Sequence, residues 1–195
     1  MSINQEYYVL EKTKNNKQPL LKWSKHHGIF CKGKPVSIDE CLAFENMFPE
    51  LVRQDSTDFY FAPEPVIAAR IKEFLLSKKI PDVQFLKAQI RISPEIIYKD
   101  YYLLHLYKEI ACLDKKKSKI KAVDELFFII EKIALDEKIL ELIPLKERLF
   151  LRLAEQPNIY LIHFSLKKEI STLNPQGVSF VSCAEWSIHN GTITE

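Results

Sequence analysis

The sequence predicts an α+β fold: a mainly antiparallel twisted sheet with two principal amphipathic helices, each followed by a short strand. Two stretches carry this plan, PVIAARIKEFLLSKKIPDVQFLKAQI (65–90) and HFSLKKEISTLNPQGVSFVSCAEW (163–186). In each stretch apolar residues recur at helical spacing, a Pro or Gly turn follows, and a Val-x-Phe pair then opens a strand. Packing therefore explains most of the conspicuous side chains.

Before the first of these stretches, short apolar runs alternate with turn residues. The strand candidates are YYVLEKT (7–13), LLKW (20–23) and the third short segment GIFCKGKPV (28–36). Residues 39–48 favour a brief helix, with Ser37 available as its N-cap. Residues 53–65 are polar and then flanked by proline, which is typical of a loop.

The first principal helix is predicted to begin at Pro65, because a missing N–H costs nothing in the first helical turn. Its apolar stripe consists of Ile67, Ile71, Phe74 and Leu75. The strand that follows, 83–92, changes its apolar phase along its length. A bulge near Leu86 and Lys87 would reconcile the two halves.

The middle of the chain leaves alternatives open. Residues 98–113 favour either a strand pair or one buried strand, and residues 114–121 favour a basic loop. Residues 122–143 fit a helix through Leu126, Ile130, Ile133 and Leu140 nearly as well as a strand through Phe127, Ile129, Ile133 and Leu135. Because Phe-Phe-Ile-Ile suits a pleated surface, we predict a strand over 126–135.

The last part of the chain repeats the strand and helix pattern. Residues 148–153 and 159–163 favour strands. The second principal helix follows, with Ser165 as its cap and a buried stripe of Leu166, Ile170 and Leu173. Pro175 and Gly177 are predicted to end it.

Composition predicts one globular domain over residues 1–195, with an ordered core over 6–186 and a polar tail over 187–195. Apolar residues make up 47% of the chain and charged residues 28%, close to globular averages. The net charge of +2 argues against a dedicated nucleic-acid-binding protein, which would show a strongly basic domain or face.

The N-terminus and the cysteines predict a cytoplasmic protein. MSINQEYYVL contains no long apolar region, so we expect no signal peptide. No run approaches the roughly 18 apolar residues that span a membrane, so we expect no membrane association. The four scattered cysteines are expected to be reduced thiols: Cys31, Cys41, Cys112 and Cys183.

Candidates for chemistry are few. His26 and His27 with Cys31 form a partial metal-ligand set, but adjacent histidines on a strand point to opposite faces. His105 could act as a general base near Asp100 or Glu109, although a histidine in an apolar run is usually a packed core residue. With four glycines, the chain has no phosphate-binding loop motif. We therefore expect no catalytic residue, metal site or cofactor, and hence no enzyme.

Two regions favour protein–protein contact. Five lysines fall within residues 115–121, and acidic residues follow closely, a bipolar pattern that suits protein steering better than DNA binding. DFYFAP (58–63) places consecutive aromatic residues beside charges in a predicted loop, the composition of an interaction hot spot. The candidate contact residues are Asp58, Phe59, Tyr60, Lys115, Lys116, Lys117, Asp136 and Glu137.

The order of these segments resembles a known protein family. The chain is similar to immunity family eleven, a former uncharacterised domain family of bacterial polymorphic-toxin and contact-dependent competition systems. The similarity covers residues 7–186 as a succession of weak motifs. Those motifs are PVIAARIKEFLLSKKIPDVQFLKAQI, YYLLHLYKEIACLDKKKS, IIEKIALDEKIL, RLFLRLAEQPNIYLIHFSLKKEI and PQGVSFVSCAEW.

The resemblance implies a non-enzymatic cytoplasmic protein that binds one cognate toxin and blocks it stoichiometrically, by occlusion or by locking an inactive shape. Immunity partners of nucleases are often acidic, whereas this chain carries +2, so the chemistry of the toxin stays open. The alternative is a non-catalytic scaffold or regulatory module that binds another protein.

Overall fold

Strands dominate the computed structural model, which describes residues 2–13, 18–25, 33–49, 56–61, 63–123 and 128–188. Within these ranges the chain forms thirteen strands and three short α-helices. The predicted α+β class, with mixed and mainly antiparallel sheets, is confirmed. None of the helices in the described ranges is long and apolar enough to cross a membrane.

The strands and helices alternate irregularly along the chain. In order they are β1 (Tyr7–Lys12), β2 (Leu21–Trp23), β3 (Leu42–Asn46), β4 (Phe59–Tyr60), β5 (Val66–Ala68), α1 (Ala69–Ser77), β6 (Val83–Arg91), β7 (Ile97–Leu106), β8 (Glu109–Ile110), β9 (Lys119–Ala122), β10 (Phe128–Lys132), α2 (Glu137–Glu141), β11 (Phe150–Leu153), β12 (Tyr160–His163), α3 (Phe164–Ile170) and β13 (Val178–Ser182). Short 3-10 helices cover Ile3–Gln5, Leu145–Glu147 and Ser171–Leu173.

The chain divides into two compact units that interleave in sequence. Unit 1 comprises Met1–Lys14, Glu109–Glu169 and Ser179–Glu195, and unit 2 comprises Asn15–Lys108 and Ile170–Val178. Each unit therefore draws on separate stretches of the chain. One domain over 1–195 with an ordered core over 6–186 stays a prediction, and residues 189–195 of the predicted tail lie outside the described ranges.

Unit 2 is built on a six-stranded sheet in the order β2-β3-β6-β7-β5-β4. The β3 and β6 strands run parallel, and the other neighbours run antiparallel. Residues at alternate positions on neighbouring strands share a face, which brings apolar side chains of β3, β4, β5, β6 and β7 together. This core includes Leu42, Phe44, Tyr60, Val66, Ala88, Ile90 and Leu103.

The predicted helix over 39–48 is wrong, because this segment contains β3. Leu42 and Phe44 are buried at alternate positions, and β2 and β6 pair with the strand on its two sides. The Phe44 ring lies 4.3 Å from the Trp23 ring across the β2–β3 pair. These contacts come from residues distant in sequence, and they override the weak local helical signal.

Two further predictions in unit 2 need correction. Pro65 precedes the strand β5 instead of opening a helix, and α1 begins only at Ala69. The β6–β7 pairing is regular through Leu86 and Lys87, so no bulge lies there. The irregularity falls between Ala88 and Ile90, where β7 supplies the extra residue.

Unit 1 is built on a five-stranded sheet in the order β13-β1-β12-β11-β8, and β9 and β10 form a separate antiparallel pair. The β1, β12 and β11 strands are antiparallel neighbours, whereas β8 runs parallel to β11. The core of this unit includes Tyr7, Val9, Cys112, Ile130, Leu135, Leu140, Leu151, Leu161 and Trp186.

A buried tyrosine links two elements of unit 1. The Tyr7 hydroxyl donates a hydrogen bond to the carbonyl oxygen of Arg148 at 3.0 Å, and it accepts one from Arg148 Nη1 at 2.9 Å. Burial raises the pKa of Tyr7 to about 12 despite the neighbouring guanidinium. Both hydrogen-bonding capacities of the hydroxyl are satisfied, which makes its burial tolerable.

The ambiguous segments resolve into more than one element each. Residues 98–113, for which a strand pair or one buried strand was predicted, contain two strands that do not pair with each other: β7 belongs to the six-stranded sheet and β8 to the five-stranded sheet. The predicted strand within 126–135 is confirmed as β10, and residues 124–127 lie outside the described ranges. The predicted basic loop over 114–121 contains the start of β9, and α2 occupies part of the helical alternative.

The second principal helix is confirmed as α3, with Leu166 and Ile170 buried. Ser165 lies inside this helix and is not its cap. Instead, Nδ1 of His163 accepts a hydrogen bond from the Ser165 backbone N–H at 3.2 Å. The histidine side chain therefore satisfies one of the backbone donors that every helix start leaves open.

Candidate functional site

A rigid turn presents three of the predicted contact residues, Lys115, Lys116 and Lys117, to solvent. Asp114 Oδ1 accepts hydrogen bonds from the backbone N–H groups of Lys116 at 3.0 Å and Lys117 at 3.2 Å. The Asp114 carbonyl oxygen also accepts from the Ser118 N–H at 2.8 Å. An aspartate that bonds its own following backbone in this way fixes a turn. The lysines are therefore held on an ordered backbone.

The same turn lies beside the start of α2. Leu113 pairs with Leu135, the Asp114 N–H donates to the Ala134 carbonyl at 2.8 Å, and the Asp136 N–H donates to the Cys112 carbonyl at 2.7 Å. The structure therefore brings the predicted basic cluster next to the predicted acidic residues Asp136 and Glu137 within unit 1.

The acidic side chains of Asp136 and Glu137 accept hydrogen bonds from other residues of the protein. Asp136 is the N-cap of α2, and its Oδ1 accepts from the backbone N–H groups of Lys138 at 3.0 Å and Ile139 at 3.4 Å. Glu137 Oε1 accepts from the Ser2 hydroxyl and from the Asn4 N–H. These hydrogen bonds, the one from Ser2 foremost, hold the pKa of Glu137 below its usual range.

Asp114 is held ionised as well. Partial loss of hydration raises the pKa of its carboxyl. The hydrogen bonds from Lys117 and Lys116 and the positive charge of Lys117 outweigh that effect and leave the pKa lowered. The Lys117 ammonium lies 3.3 Å from Asp114 Oδ2. The carboxylates of the turn and of the helix start thus serve as structural acceptors.

Three exposed apolar residues complete the site, and the sequence reasoning missed them. Leu142 is 85% exposed, Leu145 42% and Ile139 37%, whereas Leu140 between them is fully buried. The run KILELIPL contains several apolar residues, and helical periodicity alone does not tell which of them remain exposed. We define the α2 surface as Lys115, Lys116, Lys117, Asp136, Glu137, Ile139, Leu142 and Leu145.

The expectation of an exposed hot spot at Asp58, Phe59 and Tyr60 is wrong. Phe59 and Tyr60 are each 1% exposed and form β4, which pairs with β5. Consecutive strand residues point to opposite faces, and here both faces are covered. Tyr60 packs at 5.6 Å from the Tyr101 ring, and Phe59 at 6.1 Å from Phe61.

Asp58 is buried and accepts its hydrogen bonds from residues of unit 2. Its carboxylate accepts two hydrogen bonds from Arg70, one at 2.6 Å from Nε, and a third from the Gln176 N–H at 2.7 Å. The hydrogen bond that Arg70 donates to Asp58 raises the pKa of Arg70 further above its usual value. Arg70 Nη1 also donates to the Leu173 carbonyl at 2.8 Å. We call this arrangement the Asp58 cluster.

The candidate general base His105 lies within unit 2. His105 is buried, and its Nε2 lies 2.8 Å from the Lys34 carbonyl oxygen. Asp100 is exposed five residues earlier on the same strand, roughly 16 Å away at strand spacing. Glu109 belongs to unit 1, and the set His26, His27 and Cys31 lies outside the described residues.

Within the described ranges, no three His, Cys, Asp or Glu residues are arranged to hold a metal ion. His163, the remaining histidine with ordered contacts, has its Nδ1 2.8 Å from the Ser165 hydroxyl and its Nε2 3.2 Å from Glu6 Oε2. These bonds orient the ring that caps α3.

The cysteines differ in predicted reactivity. Burial raises the pKa of the Cys112 thiol to about 12, and it raises the pKa of Cys183 as well, whereas Cys41 is exposed. Because the thiolate is the nucleophile, we expect iodoacetamide at pH 8 to modify Cys41 and to spare Cys112 and Cys183 in the folded protein. Peptide mapping by mass spectrometry measures each site separately. Labelling of the two buried thiols as fast as Cys41, without denaturant, would contradict their burial.

No protein-family model matches the chain, and no curated protein matches it in sequence.

Proposed function

We propose that this chain is an immunity protein, which binds one cognate bacterial toxin and neutralises it by stoichiometric protein–protein contact in the cytoplasm of the producing cell. The observation that carries the proposal is the apolar part of the α2 surface. Ile139, Leu142 and Leu145 are exposed within seven residues, beside an ordered charged turn. Apolar anchors inside a polar rim are the usual composition of a protein–protein interface.

A single exposed leucine would carry little weight, because scattered apolar residues are normal on protein surfaces. A cluster of three is different, since the side chains can be desolvated together. Ile139 and Leu142 stand three positions apart, the spacing that places two side chains on one helical face. The five residues of α2 rise about 7 Å, which is small beside an interface of about 800 Å² per partner.

The test is co-expression with the toxic product of the neighbouring gene, with cell survival and co-purification as the two measurements. We expect the wild-type protein to restore survival and to purify with the toxin in a one-to-one complex. Leu142→Asp should lose protection and weaken binding at least about 30-fold, because truncating a hot-spot residue costs about 2 kcal/mol or more.

Leu76→Asp is the matched control. Leu76 is 47% exposed on α1 in unit 2, so the substitution adds the same charge at an exposed leucine that does not belong to the α2 surface. We expect this variant to protect as the wild type does. A wild-type protein that neither protects nor binds would refute the immunity function. A protein that binds a harmless neighbour would favour the scaffold alternative.

A further inference from the structure

We propose that the α2 surface recognises an acidic protein surface that carries an apolar pocket. The inference rests on the proposed immunity function and deepens it by naming the chemistry of the partner. The sequence presents the region as bipolar, with lysines followed by acids. The structure changes that balance, because it shows which of these charges already have partners inside the protein.

The carboxylates of the surface are occupied by internal donors. Asp114 accepts two backbone hydrogen bonds and pairs with the Lys117 ammonium, and Asp136 accepts two more as the N-cap of α2. Glu137 turns towards the N-terminal segment and accepts from Ser2 and Asn4. A partner that bound these acids would have to replace hydrogen bonds that hold the surface together.

The lysines are placed differently. Lys115, Lys116 and Lys138 are exposed, and no carboxylate from the part of the chain that the structure describes lies within ion-pair distance of them. The Lys115 ammonium lies 5.8 Å from the centre of the Phe128 ring, which leaves its charge available to solvent. Against these three lysines stands one exposed carboxylate on α2, that of Glu141, so the exposed charges of the described turn and helix are predominantly cationic.

The apolar side chains decide between classes of acidic partner. Phosphate backbones offer no pocket for Leu142, which is 85% exposed. A helix of five residues is also short for an element that lies in a membrane interface, where many such helices run 20–30 residues. An acidic protein surface with an apolar pocket complements both features of the α2 surface. The pocket would bury Leu142, and the acidic residues around it would pair with the lysines. Such complementarity speeds association at low salt.

The experiment measures association of the toxin with immobilised Lys115→Glu/Lys116→Glu protein at low salt and at 0.5 M NaCl. We expect the association rate at low salt to fall about tenfold or more relative to wild type, and the difference to shrink at high salt. Lys87→Glu/Lys99→Glu makes the same change in net charge at two exposed lysines of unit 2. The association rate of this control at low salt should stay within about twofold of the wild-type rate. Lys115→Ala/Lys116→Ala removes the two positive charges without adding negative ones. Its association rate at low salt should therefore also fall, but by a smaller factor.

A second variant tests the occupied acids. Glu137→Gln keeps an acceptor for Ser2 and Asn4, and we expect its association rate to stay within about twofold of wild type. If the wild type binds the toxin and Lys115→Glu/Lys116→Glu binds as fast, the inference is overturned and the immunity function stands. If the wild type does not bind, both fail together. Tighter binding to phosphatidylserine vesicles or to single-stranded DNA than to the toxin would contradict the inference that the partner is a protein.

Discussion

Gly177→Ala is expected to lower the free energy of unfolding by about 2–5 kcal/mol. Gly177 has φ of +85°, and an added Cβ would lie 2.1 Å from Thr57 Oγ1 and 2.5 Å from the Phe59 carbonyl oxygen. The left-handed backbone costs an alanine about 1–2 kcal/mol, and forcing a methyl group into a filled space costs about 1–3 kcal/mol more. Urea unfolding, monitored through Trp23 of unit 2 in a Trp186→Phe background, measures the difference.

Gly33→Ala is the matched control for this substitution. Gly33 also has a left-handed backbone, with φ of +70°, but among the described residues, its chain neighbours aside, no atom lies within 4 Å of the position that its Cβ would take. We expect this variant to lose only the backbone contribution of about 1–2 kcal/mol. Equal losses at the two glycines would show that the close approach at Gly177 contributes nothing.

Arg70→Ala should destabilise the protein by about 2–4 kcal/mol, because it leaves the buried carboxylate of Asp58 without its cation. The Asp58 side chain is 9% exposed, and of its described donors only the Gln176 N–H would remain. The substitution also removes the hydrogen bond to the Leu173 carbonyl. Urea unfolding measures this loss. If the slope of the unfolding free energy against urea concentration is unchanged, the lower stability appears as a lower midpoint concentration of urea.

Lys22→Ala provides the comparison. The side chains of Lys22 and Arg70 are both 48% exposed, and each cation pairs with one carboxylate. The difference lies in the partner, since Glu45 is 33% exposed and Asp58 is 9% exposed. An exposed pair contributes about 0–1 kcal/mol, so Lys22→Ala should change stability little. If Arg70→Ala lowered the free energy of unfolding as little as Lys22→Ala does, the Asp58 carboxylate would have to be solvated in the absence of Arg70.

Sequence reasoning succeeded where one periodicity dominated locally. The stripes containing Ile71 and Leu75, and Leu166 and Ile170, predicted the two principal helices, and both pairs are buried. It failed for β3, whose strand conformation depends on pairing with β2 and β6. Gly177 could be recognised as a helix stop, but the close approach of Thr57 and Phe59 depends on residues more than a hundred positions away.

The candidate site shows the same division. The lysine run was recognised as a charged surface from composition alone, and its turn is indeed exposed. The orientation of Glu137 was not predictable, because its partners Ser2 and Asn4 are 135 and 133 positions away. Nor could composition tell that Leu140 is buried while Leu142 is exposed, since that depends on how α2 packs against the core of unit 1.

The interleaved path of the chain has a consequence during synthesis. Tyr7 pairs with His163, so the first strand of unit 1 lacks this partner until residue 163 has been translated. Unit 2 waits as well, because Asp58 needs Gln176. At about 5–20 residues per second, synthesis from Tyr7 to His163 takes about 8–30 s, and unit 1 cannot complete its hydrogen bonding before that time has passed. Folding dominated by such distant pairings is intrinsically slow. Nascent chains that stall before residue 163 should therefore depend on chaperones and be sensitive to protease.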